Sequence, residues 1–421
     1  MLIIVAAVGL TGVALNAKSP AKSDELDRLA TQAIGADTAV ADRAIAKLRA
    51  RGPQGLEPLL AMLRATMSEP PVKSEAPSDE ALAAEKKRIE KLESTIDRVA
   101  GQRYGHISGL YWYTDLDAAK AASAASGKPI ISLRMLGNLT DEFSCANSRF
   151  FRTTLYANRE IARRLGEKFV MHWQSVRPVP RVTIDFGDGR KLERTITGNS
   201  AHYALAADGT PLDVLPGLYG PQQFLAWLDG VEGLHGQIAG MSHEDRATYL
   251  SHYHAGRALE IAARWADDLK AVAPQVAMGE FADTNELITA TTDEDWSKIA
   301  LLPRHRVALD GSSQVIIRRE NPGAVRAGNL AVSKRATEFP VLALVVNLQT
   351  SIAEDGVRNE YALHRQAHEW FAAGSVPGDV KQFNDRVYAE LFLMPPSDPW
   401  LGLAPTDTYT ALDRGGVAVG R

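Results

Sequence analysis

Phe143-Ser144-Cys145-Ala146-Asn147-Ser148-Arg149-Phe150-Phe151 contains the only cysteine of this 421-residue chain, and the rest of the sequence is read outward from it. Upstream, Gly127-Lys128-Pro129 ends an Ala-rich helical stretch at 117–126 and opens an apolar run of strand length at 130–136. Residues 137–144 read as a loop. Downstream, 148–165 places Phe151, Leu155, Ile161 and Leu165 at helical spacing, and 169–173 reads as a buried strand. A cysteine between such a strand and such a helix lies at the helix N-terminus. There, unpaired backbone N–H groups and the positive end of the helix dipole favour a thiolate.

Further on, 181–185 and 191–196 read as a hairpin around Gly187-Asp188-Gly189. A second hairpin, 202–206 with 211–215, turns at Asp208-Gly209, and a helix follows at 221–228. This order suits a thin mixed sheet covered on both faces. Segment 118–230, about a quarter of the chain, resembles the thioredoxin-like superfamily. The resemblance is carried by Gly127-Lys128-Pro129-Ile130-Ile131 and by Cys145-Ala146-Asn147-Ser148 at the family's Cys-x-x-Cys position. Asn158-Arg159-Glu160-Ile161 followed by Phe169-Val170, Ala207-Asp208-Gly209-Thr210-Pro211, and Leu215-Pro216-Gly217 before Pro221, Phe224 and Leu225 extend it.

The resemblance implies a nucleophilic first cysteine, with a second thiol that resolves the mixed disulfide. Ser148 stands at the second position. Its hydroxyl can hydrogen-bond a thiolate but cannot close a disulfide. The family also sets a cis-proline opposite its redox pair. The corresponding Gly198-Asn199-Ser200-Ala201-His202 has no proline and is expected to run trans. On the family's geometry His202 lies near Cys145, and a Cys–His pair is a nucleophilic device. Two uses of Cys145, Ser148 and His202 stay open. One is a monothiol centre resolved by an outside thiol. The other is a retained scaffold in which the cysteine is buried and inert.

The chain is long enough for two or three cores. Its net charge of -4, with no dense Lys/Arg stripe, gives nothing that argues for nucleic-acid binding. A single cysteine excludes a disulfide framework or a cysteine-rich metal site. Met1-Leu2-Ile3-Ile4-Val5-Ala6-Ala7-Val8 opens an apolar run ending near Leu15. It is shorter than the roughly 20 residues of a membrane helix and reads as a signal or anchor over 1–17, with cleavage after Ala17. The expected location is therefore periplasmic, secreted or membrane-anchored, the alternative being a buried N-terminal element in a cytoplasmic protein.

The expected class is multidomain α/β and α+β. A HEAT-like helical hairpin at 24–66 precedes a linker at 67–78 and a charged connecting helix at 79–104. The thioredoxin-like domain occupies 105–235. A mostly helical C-terminal α+β domain spans 240–421, with strand-like runs at 313–319 and 339–348 and helices at 353–371 and 380–393.

Within that last part, Glu360, His364 and His368 recur every four residues, so a helix presents them on one face. Two imidazoles one turn apart can grip zinc or iron. The intervening sequence is Arg-Gln-Ala, so the glutamate of the His-Glu-x-x-His peptidase motif is missing. His252 and His254 alternate around Tyr253 within a helical stretch that Ser242 caps, and are assigned to no site.

The function expected from the whole sequence is a non-catalytic scaffold or interaction protein of the cell envelope, without a cofactor. It would act with a protein partner or an external thiol, and its oligomeric state is open. The alternatives are a monothiol oxidoreductase using Cys145 and a metal-dependent hydrolase using Glu360, His364 and His368.

Overall fold

The computed structural model describes residues 20–68, 78–277, 279, 284–320, 334–401, 403, 411, 412 and 414. The expected leader at 1–17 and most of the 67–78 linker fall outside them. Among the described residues no helix is long and apolar enough to cross a membrane. The chain forms two compact units, one up to Val99 and one from Ala100.

The first unit is helical. Where the sequence suggests two helices in 24–66 there are three, Pro20–Ala33, Thr38–Arg49 and Pro53–Ser68. The extra boundary arises at Asp37, whose side chain accepts the Val40 N–H at 3.0 Å and starts a new helix. Leu29, Ile45, Leu48, Leu56 and Leu59 are buried along the three helices. The helix Asp79–Ala100 is exposed over its first half, as its charges suggest. Leu92, Ile96 and Val99 are buried in its second half, so it is not solvated throughout.

The second unit is built on a four-stranded sheet. Strand β1 (Ile130–Leu136) pairs in parallel with β2 (Val170–Arg177) and antiparallel with β5 (Ser200–Leu205), which pairs antiparallel with β6 (Pro211–Pro216). The order is β2-β1-β5-β6. Parallel neighbours need a crossover, and helical segments from Ala146 to Lys168 supply it. The expected single helix over 148–165 is interrupted. Ala146–Phe150 widens into a π-helical turn, Phe151–Leu155, and a fresh helix, Arg159–Lys168, starts where the Asn158 side chain accepts the Glu160 and Ile161 N–H groups. Strands β3 (Arg181–Asp185) and β4 (Lys191–Thr195) form a separate hairpin, exposed along β3.

Every residue of β1, β5 and β6 is buried. Alternation along β5 shows what covers each face. His202 points into rings from Phe151 and Phe224, whereas Tyr203 meets Phe383 and donates its hydroxyl proton to Asn384 Oδ1 at 3.1 Å. One face thus carries Pro221–Gln237 and the crossover, and the other carries Val380–Arg386. Residues on both sides of position 240 share this core.

No strand occurs among the described residues after β6, which corrects the strand expectations at 313–319 and 339–348. The first is the helix Gly311–Glu320 and the second lies within Lys334–Arg358. Val315-Ile316-Ile317 has strand-like composition, but Ser313, Ile316 and Ile317 are the buried positions, at helical spacing. Short apolar runs fit a strand and a buried helix equally well, and tertiary packing decides between them.

The chain from Lys334 continues without a break through a π-helical stretch, Asn359–His364, into Arg365–Ala372. It packs against the long helix His243–Val272, which Ser242 caps as expected, its hydroxyl accepting the Asp245 N–H at 3.1 Å. Gly217, at φ +92°, lets the turn after β6 approach this run. A Cβ there would stand 2.4 Å from the Asn359 side chain.

Candidate metal centre

β6 is an edge strand, and its sequence Pro211-Leu212-Asp213-Val214-Leu215-Pro216 carries one acid among apolar residues. Alternation turns Asp213 to the same face as His202, toward the helix Pro221–Gln237. Its carboxylate accepts the Trp227 indole N–H at 3.1 Å on Oδ2 and the Val214 N–H at 2.7 Å on Oδ1. These donors fix the group and leave Oδ1 facing two imidazoles. His364 Nε2 is 3.8 Å from it and His368 Nδ1 is 4.0 Å from it.

The third imidazole comes from the middle of the long helix. His254 donates its Nε2 proton to the Leu212 carbonyl of the edge strand at 2.9 Å. A carbonyl only accepts, so this bond sets the tautomer and leaves a lone pair on Nδ1 of the neutral ring. That Nδ1 is 2.7 Å from His368 Nδ1. Burial drives His254 and His368 below the ordinary imidazole range, so both are neutral. His368 Nε2 is buried without a hydrogen-bond partner. Among the described residues, Asp213, His254 and His368 are the group whose donor atoms could hold a metal ion, all lying within 4.8 Å of one another.

His364 differs from its neighbours. Burial opposes its charge, but Glu360, with Oε2 2.8 Å from Nδ1, and Asp213 outweigh it and raise its pKa to about 9. For Asp213 burial alone would favour the neutral acid. The charged His364 beside it outweighs burial and holds it well below the carboxylate range. Burial likewise opposes the Glu360 charge, yet His364 and Arg264, whose guanidinium is 2.6 Å from Oε1, bring it to about 2.

A cavity of about 700 Å³ opens beside the cluster, lined among others by Asp213, Glu360, His364, Tyr253, Arg257 and Arg264. The four-residue spacing therefore does set Glu360, His364 and His368 along one face. Glu360 and His364 form an ion pair, and His368 turns to His254. The sequence reading missed Asp213 and His254. A lone acid inside an apolar strand was a usable signal for the first. The second had none, because its partners approach from distant parts of the chain.

The cysteine region is organised differently. Cys145 caps the helix Ala146–Phe150, its Sγ accepting the Ser148 N–H at 3.4 Å, and it is fully buried. The Ser148 hydroxyl donates to the Cys145 carbonyl at 3.0 Å instead of to the sulfur. His202 sits within β5, not in a loop, and its Nε2 is 2.7 Å from the Tyr156 hydroxyl. Burial lowers its pKa to about 3. No cis peptide bond occurs among the described residues. A second cavity, about 860 Å³, is lined by Ala146, Arg149, Phe150 and Arg152 but not by Cys145. The sequence matches no protein-family model, no curated protein and no solved structure.

Proposed function

We propose that this protein binds a divalent metal ion through Asp213, His254 and His368 and is a metal-dependent hydrolase. The observation that carries the reading is a buried carboxylate and two buried neutral imidazoles whose donor atoms lie within 4.8 Å of one another, with the carboxylate at the wall of a cavity. Their supports are those that metal ligands use. One ring is oriented through its other nitrogen by a backbone carbonyl, and the carboxylate is fixed by two N–H donors. Three protein ligands leave a position for water, and a bound ion lowers that water's pKa and polarises the bond under attack. In the hydrolysis, water supplies hydroxide to the electrophilic centre and its remaining proton to the leaving group. Asp213 and His364 line the cavity where the scissile bond would lie.

The test is metal content of protein purified without chelator, followed by hydrolysis of a panel of carboxylic and phosphoric esters. Near-stoichiometric metal, lost in His254→Ala and His368→Ala together with hydrolysis, is the expected result. Substoichiometric metal that neither substitution changes would overturn the reading.

A second reading concerns the sheet. The order β2-β1-β5-β6, with one parallel and two antiparallel pairings, and a cysteine capping the crossover helix both support a thioredoxin-like scaffold. Complete burial of Cys145 and the serine at 148 favour a structural role over thiol transfer. The two readings are compatible, since the metal site lies at the sheet edge. The apolar 1–17 run supports export to the cell envelope, which fractionation of cells expressing the full chain would test.

A further inference from the structure

Resting on the metal-site reading, we infer that His364 is a fourth protein ligand through Nε2, positioned by Glu360, and that the ion is six-coordinate. Three observations carry this. His364 Nε2 is buried and has no hydrogen-bond partner, and the ion would displace the proton it carries toward Asp213. It lies on Asp213 Oδ1, 3.8 Å away, at nearly the 4.0 Å that separates the same oxygen from His368 Nδ1. Adjacent ligands about 2.1 Å from an octahedral ion stand about 3 Å apart, so His364 Nε2 and His368 Nδ1 would each close on Oδ1 by about an ångström or less. Third, His364 donates its Nδ1 proton to Glu360 Oε2 at 2.8 Å. A carboxylate on the far nitrogen of a metal-bound imidazole fixes its tautomer and orientation and raises its basicity.

Glu360 cannot serve equally well as a ligand. Its Oε2 is held by His364 and its Oε1 by Arg264, which leaves it a positioning residue. The π-helical turn Asn359–His364 contributes to the arrangement. It sits immediately before Arg365–Ala372, so His364 and His368 come from differently wound parts of one helix, with ring centroids 4.2 Å apart. π-Turns are frequent at functional sites.

The fourth ligand bears on which ion is taken. One carboxylate and three imidazoles would fill a tetrahedral zinc ion and leave no room for water. A six-coordinate ion of the Fe²⁺, Mn²⁺, Co²⁺ or Ni²⁺ type keeps two positions. Asp213 and His364 are the members of the set that line the cavity, so the open positions fall on that side.

Titration of the full-length, metal-stripped protein with Co²⁺, followed by visible absorption, tests this. Wild type should bind one Co²⁺ with the weak bands of six-coordination. His364→Ala should weaken binding by about 100-fold or more, and Glu360→Gln by about 10- to 100-fold with shifted bands. Circular dichroism establishes that the variants fold, and Glu360→Gln, which preserves shape, keeps the test intact if His364→Ala does not. Unchanged affinity and bands in both variants, or an intense four-coordinate spectrum in wild type, would overturn the inference and leave the three-ligand site standing. If wild type binds no Co²⁺ and contains no other metal, both readings fall.

Discussion

The region around Cys145 and the region around Asp213 lie on one sheet and carry opposite kinds of chemical potential. Cys145 has the more suggestive sequence, yet its polar atoms are satisfied by its own helical turn and by the Leu136 carbonyl, which accepts its N–H at 3.3 Å. Ser148 N–H bonds to its sulfur and Ser148 Oγ to its carbonyl, and the thiol is fully buried. Around Asp213 the sequence is plain, but His364 Nε2 and His368 Nε2 are buried and make no hydrogen bond, the first facing Asp213 Oδ1 only across 3.8 Å. Buried polar groups are nearly always paired, so an orphan needs an explanation. His202 Nδ1 and Arg152 Nε are buried orphans as well, so what sets the Asp213 region apart is three donor atoms within 4.8 Å of one another.

The largest expected effect is on ion binding. Asp213→Ala should reduce metal content at least as severely as loss of either histidine, whereas Cys145→Ala should leave it unchanged. Loss of metal in Cys145→Ala would break the contrast between the regions. In metal-stripped protein, Asp213→Ala leaves the Trp227 and Val214 donors and the charged His364 without their partner. Removing one member of a buried charge pair costs about 3–5 kcal/mol, so the urea midpoint should fall steeply.

Acid should weaken the sheet through its own histidines. Burial lowers His172, whose Nδ1 pairs with Ser132 Oγ at 2.8 Å, to about 3, as it does His202. Both pKa values lie below the unfolded value near 6.5. The stability they confer is therefore complete above pH 6.5 and lost as pH falls from there toward 3. The slope is about 1.4 kcal/mol per pH unit for each histidine. Denaturation midpoints from pH 7 to 4 measure it, and His202→Phe should remove about 1.4 kcal/mol per pH unit from the slope.

The smallest effect concerns the thiol. Native protein should resist iodoacetamide, with labelling appearing only in denaturant. Cys145→Ala should lower stability by about 1–2 kcal/mol through the lost cap and a small cavity. Rapid labelling of native protein would restore the thiol-transfer reading.

Much of the α/β region was legible locally. Strand β1, both hairpins, and the helices Leu116–Ser126 and His243–Val272 follow from apolar periodicity and capping residues, which act over a few residues. The runs at 313–319 and 339–348 were misleading because their β-branched content says nothing of the surface they meet. Of the site, the Glu360-His364-His368 face was visible because helical spacing alone places residues four apart together. Its division into an ion pair and a ring facing His254 was not.

By itself the sequence determined the number of thiols, the serine three residues beyond the cysteine, and the elements from which the sheet is made. Only the tertiary structure decided that Cys145 is shut away and that His254 and His368, 114 residues apart, meet beside an aspartate on an edge strand. The physical reason is range. Propensity, capping and periodicity are set by near neighbours along the chain. Burial and coordination depend on which surfaces pack together, and those come from helices and a strand far apart in sequence.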